Sequence, residues 1–76
     1  MDFSNVSQGM RAKVIAIRPG SVLVKRLQEM GLTVGTEFTV VKVAPFGDPI
    51  EIQMRGYRLC LRKHETSDIV IEALEN

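Results

Sequence analysis

Residues 50 to 61 constrain the fold of this 76-residue chain more than any other stretch. Ile50, Ile52 and Met54 alternate with Glu51, Gln53 and Arg55; after Gly56, Tyr57, Leu59 and Leu61 alternate with Arg58, Cys60 and Arg62. Successive side chains of a strand point to opposite faces, so each run has one apolar and one polar side. Two such runs around a glycine predict a β-hairpin with one wet face.

The rest of the chain supplies partners for that hairpin. Met10 to Ile17 reads as a strand rich in β-branched residues, punctuated by Gly9 and by Pro19-Gly20. Its four consecutive apolar residues, Val14 to Ile17, suit either a strand covered on both faces or one that changes face at a bulge. Gly20-Ser21 opens a short helix with one of them as N-cap, and Leu23, Leu27 and Met30 form its apolar stripe. Gly31 suits the left-handed residue that ends a helix, with Leu32 making the accompanying apolar contact. In the strand Thr36 to Ala44, Phe38 and Val40 share one phase and Val41 and Val43 the other, which predicts a bulge near Val40-Val41. A loop with two prolines, residues 44 to 49, leads into the hairpin. Lys63 to Ser67 forms a single polar helical turn, and Asp68 to Ala73 closes the chain with Ile69 and Ile71 facing inward.

The fold class is therefore mostly β: about five short strands and one short inserted helix, one domain over residues 1–76. Strands this short and curved suggest a closed or nearly closed barrel, which removes exposed edges, with the helix plugging one end. At 45% hydrophobic residues the chain is too apolar to be disordered, and a single cysteine leaves packing alone to hold it. No apolar run approaches the ~20 residues of a membrane span, and the N-terminus lacks the basic and apolar segments of a leader. The expectation is a soluble cytoplasmic protein with no direct membrane insertion.

Catalysis lacks an inventory. There is one His and one Cys, the three Asp are scattered, and no nucleophile elbow or phosphate-binding Gly-rich loop is present. The chain is read as a non-enzyme. Cys60 and His64 are the right residue types for Fe(II) or Zn(II), but two ligands do not complete a site, so no resident metal is expected beyond weak binding there. Cys60, between Arg58 and Arg62, invites a redox reading that the lack of a second thiol weakens. Arg55, Arg58, Arg62 and Lys63 are the only basic concentration, either the solvent face of the hairpin, neutralised by Glu51 and Glu65, or a shallow docking face for an acidic protein surface or nucleic acid. A formal charge of +1 and few aromatics for stacking argue against nucleic acid, with Phe38 and Tyr57 assigned to the core. Phe46, on a stiff loop, either folds over the barrel end or projects as a preorganised anchor.

Gly20-Ser21, Arg26-Leu27, Glu29-Met30-Gly31-Leu32, Gly35, Ala44-Pro45, Gly47-Asp48-Pro49-Ile50, Leu59 and Leu61-Arg62 with Glu65 together resemble the ferrous-iron transport protein A (FeoA) family across nearly the whole chain. Cys60 and Thr66 depart from the alanine common there. The resemblance implies a free-standing SH3-like barrel in a bacterial cytoplasm that supports Fe(II) uptake by docking on FeoB, a membrane permease with a cytoplasmic G domain. It also implies an alternative, a metal-responsive regulatory module like the domain that ends iron-dependent repressors. For the docking reading the candidate contact residues are Lys25, Arg26 and Glu29 on the helix and Pro45, Phe46 and Asp48 in the loop. An unsealed barrel edge would also allow weak self-association.

Overall fold

The computed structural model describes residues 1–19 and 22–74. In chain order they form a 3-10 turn (Phe3–Asn5), β1 (Arg11–Ile17), α1 (Val22–Glu29), β2 (Glu37–Val43), β3 (Ile50–Met54), β4 (Tyr57–Leu61), a second 3-10 turn (Lys63–Glu65) and β5 (Ile69–Ala73). The strands make one antiparallel sheet in the order β4-β3-β2-β1-β5, so β1 to β4 run in series apart from the helical insertion and β5 returns to the far side of β1.

Two bulges bend this sheet around its own core. One interrupts the β1–β5 register between Val14 and Ala16, which selects the face change over the doubly covered strand. Ile15 is accordingly exposed while Val14 is buried. The other lies between Val40 and Lys42, where the phase change of β2 predicts it. An extra residue in one strand increases the local twist, which is what a five-stranded sheet needs to curl. Ala12, Val14, Phe38, Val40, Ile50, Ile52, Leu59, Leu61, Ile69 and Ile71 then point into one core. The hairpin has the expected register, Met54 opposite Tyr57 and Ile52 opposite Leu59, around Arg55 and Gly56.

The N-terminal segment belongs to this core. Phe3 is 1% exposed, and its ring stacks on Phe38 with centroids 5.4 Å apart and planes 12° from parallel. Beside it, the Ile71 N–H donates to the Met1 carbonyl at 2.8 Å and the Met1 amino group donates to the Ile71 carbonyl at 3.1 Å, so Met1 pairs with the outer edge of β5.

In α1 the buried stripe is centred on Val24 and Leu27, with Leu23 and Met30 half-buried on either side, one residue round from the Leu23-Leu27-Met30 line. The expected N-cap, Gly20 or Ser21, lies outside the described residues. The C-terminal end follows the pattern of its sequence. Gly31 takes φ 103°, its N–H donates to the Gln28 carbonyl at 3.0 Å, and the Leu32 N–H reaches the Leu27 carbonyl at 3.0 Å. These are the two bonds of a Schellman closure, and Leu27 and Leu32 are both buried beneath it.

Tyr57 corrects its assignment to the core: it is 44% exposed. It stands beside the turn of the hairpin, and a Cβ on Gly31 would come within 2.7 Å of its hydroxyl oxygen. Gly31→Ala is therefore expected to cost about 1–3 kcal/mol, from the left-handed conformation and displacement of the Tyr57 ring together. Urea unfolding of the two proteins measures it; an unchanged midpoint would mean that neither constraint is felt.

Candidate functional site

The loop between β2 and β3 is closed from within. The Gly47 N–H donates to the Ala44 carbonyl at 2.7 Å, making a tight turn with Pro45 and Phe46 at its corners and Gly47 at φ 83°. Pro45 presets its own backbone angle, and Gly47 adopts without strain a conformation that side chains resist. The Ala44 N–H donates to the Pro49 carbonyl at 3.1 Å across the base. Phe46 consequently stands clear of the barrel, 96% exposed, which decides between its two expected placements.

The loop is also tethered from outside. Asp48 Oδ1 accepts the backbone N–H of Lys63 at 3.0 Å, joining the loop to the second 3-10 turn. The Lys63 ammonium lies against Gly47, 2.9 Å from where a Cβ would be. Two residues on, Glu65 Oε1 accepts the Arg62 N–H at 2.9 Å, and its other oxygen lies 3.9 Å from the Arg26 guanidinium of α1. The second 3-10 turn thus touches both the loop, through Asp48, and α1, through Arg26, although α1 and the loop are far apart in sequence.

Of the six candidate contact residues, Lys25, Arg26, Glu29, Pro45 and Phe46 are exposed, and Arg26 is the one on α1 that reaches the second 3-10 turn. Asp48 is half-buried and its carboxylate is engaged by the backbone, which makes it a positioning group for the loop. Three further residues border that set. Lys63 and Glu65 are the junction between the two arms, and Val22, 83% exposed, lies on the turns of α1 that carry Arg26 and Glu29. Its signal in the sequence is an apolar residue beside the stripe that Leu23 begins.

The outer face of the sheet has a different character. Arg58 donates to Gln53 at 3.0 Å and to Glu51 at 3.2 Å, and Arg11 pairs with Glu37 at 3.4 Å. The basic row Arg55, Arg58, Arg62, Lys63 is therefore divided: Arg58 is neutralised in the sheet, Arg55 sits at the hairpin tip, and Arg62 and Lys63 lie at the second 3-10 turn. Asp2 also lies beside Lys63, its carboxyl held below the usual carboxylate value chiefly by the Ser4 hydroxyl and the Ser4 N–H.

Cys60 is exposed on β4 opposite Glu51, and His64 is exposed on the second 3-10 turn. Among the described residues no three His, Cys, Asp or Glu side chains gather closely enough to hold a metal ion. Nor, among them, is any helix long and apolar enough to cross a membrane.

Comparison with known proteins gives a consistent picture. The family model of the FeoA domain matches residues 1–73. A Porphyromonas gingivalis Fe(2+) transport protein A/FeoB fusion protein is 30% identical over 76 residues, all of this chain but 9% of that protein. The solution structure of a FeoA-like protein from Clostridium acetobutylicum superposes with a TM-score of 0.88 at 39% identity, covering 100% of this chain and 88% of that one. The crystal structure of Stenotrophomonas maltophilia FeoA complexed with zinc, described as a prokaryotic SH3 domain protein, gives 0.78 at 26% identity, covering 95% and 89%. The five-stranded barrel with its inserted helix is thus an SH3-like fold.

Proposed function

The chain belongs to the FeoA family, and on that premise we propose that it is a cytoplasmic accessory protein of ferrous-iron uptake that docks on the FeoB permease. The contact face is the one built from α1, the second 3-10 turn and the 44–49 loop. It acts by binding rather than by catalysis. The observation that carries this reading is Phe46, a large aromatic side chain held out in solvent on a turn closed by its own backbone. An anchor whose backbone is already held in a tight turn loses less entropy on association, and a few well-packed anchors carry most of an interface's energy. The fusion of a related chain to FeoB in Porphyromonas gingivalis supports the choice of partner, because physical linkage raises the effective concentration of two domains that must meet.

The test is co-purification of the tagged chain with full-length FeoB, together with Fe(II) uptake by cells from which the chain has been deleted. Association and impaired uptake are expected, with uptake restored by the intact chain. Normal uptake after deletion, or no association, overturns the reading.

A further inference from the structure

The chemistry of the docking face points to the kind of surface it meets. Two of its carboxylates are turned inward, while Asp2, beside Lys63, stays exposed: Asp48 serves the Lys63 N–H, and Glu65, its side chain only 11% exposed, serves the Arg62 N–H and Arg26. Its cations are turned outward: Lys25 and Arg62 are exposed and form no ion pair among the described residues, and the Lys63 ammonium lies against Gly47 in the turn that carries Phe46. Glu29 is the one exposed carboxylate on α1. The exposed cations Lys25, Arg26, Arg62 and Lys63 thus outnumber the exposed carboxylates Asp2 and Glu29 among residues that include two apolar projections, Val22 and Phe46, although the whole chain carries a formal charge of only +1. By contrast, Arg11 and Arg58 on the outer sheet face are already paired with Glu37 and Glu51.

We infer that this face takes an acidic protein surface with an apolar recess for Phe46. The inference rests on the docking reading and specifies the partner's side of it: carboxylates opposite Lys25, Arg62 and Lys63. Charges at the rim of such an interface steer encounter and fix orientation, while the buried anchor governs the lifetime of the complex. Lys25→Glu should therefore slow association, whereas loss of the Phe46 ring should speed dissociation.

The experiment measures association of the full chain with full-length FeoB in nanodiscs across a salt series. Lys25→Glu is compared with Arg55→Glu, which makes the same change in net charge at the hairpin tip. Lys25→Glu should lower the association rate roughly fivefold at low salt and Arg55→Glu much less, with the difference vanishing at high salt. Binding that occurs but ignores both salt and Lys25→Glu overturns the acidic surface while leaving the docking reading intact. Equal effects of the two reversals also overturn it, since net charge alone would then suffice. Equal binding to empty anionic nanodiscs would assign the cations to lipid headgroups instead. Absence of binding by the unaltered chain would sink the docking reading, and with it this inference.

Discussion

Phe46→Ala is expected to weaken association with FeoB by about 2 kcal/mol or more, roughly thirtyfold in Kd, while leaving the melting temperature nearly unchanged. The two halves of that expectation have separate causes. The ring is 96% exposed, so the folded state gains almost nothing from burying it and loses almost nothing with it. In a complex the same ring would leave water entirely, and the turn formed by Ala44 and Gly47 would hold it in place before contact. Titration calorimetry with FeoB and thermal unfolding of the two free proteins read the halves independently. A large fall in melting temperature with unaltered affinity would return Phe46 to the folding core and remove the anchor from the proposed interface.

Asp48→Ala separates positioning from contact on the same loop. The Lys63 N–H would lose its acceptor, and the loop one tether to the second 3-10 turn. Binding should weaken by less than for Phe46→Ala, and amide exchange at Lys63 should accelerate, a change that removing a simple surface contact would not produce.

How much of this was legible in the sequence depends on the range of the interaction concerned. Period-2 alternation places the hairpin and the phase change places the β2 bulge, because both are written in neighbouring residues. Gly31-Leu32 likewise announces a helix closure whose bonds all lie within six residues. The docking face is different. As proposed it depends on Asp48 meeting Lys63 and Arg26 meeting Glu65, and neither pair carries a local signature. Sequence reasoning therefore reaches α1, the loop and the polar turn after Arg62 one by one, without the contacts that join them. Tyr57 fails for a related reason: its alternation with Leu59 and Leu61 is real, but it falls beside the hairpin turn, where little of the chain covers it. Phe3 is the opposite case, a lone aromatic outside any period, whose burial depends wholly on the tertiary position of Phe38.

That burial sets the largest expected change in stability. Phe3→Ala should cost about 3–5 kcal/mol, the usual range for emptying a buried phenylalanine site. A chain of this length has on the order of 4–11 kcal/mol in total, so the variant should be close to unfolding at physiological temperature. The loss combines the transfer energy of the ring, the cavity left against Phe38 and the stacking of the two rings, which adds about 0.5–1.5 kcal/mol. The N-terminal turn would be released with it, because Asp2 caps that turn only while Phe3 holds it on the barrel. The Ile71 N–H, bonded to Met1 at 2.8 Å, should then lose its protection from exchange. Phe3→Leu, which keeps most of the volume but not the stacking, should cost about 1–2 kcal/mol and preserve that protection. Urea unfolding and amide exchange together decide the matter. If Phe3→Ala unfolds at the same urea concentration as the unaltered chain, with Ile71 still protected, the N-terminal segment is an appendage and the core closes without it. If the cost is as stated and Ile71 loses its protection, the N-terminal segment is part of the folding core, and the Phe3–Phe38 stack is what fastens it to the barrel.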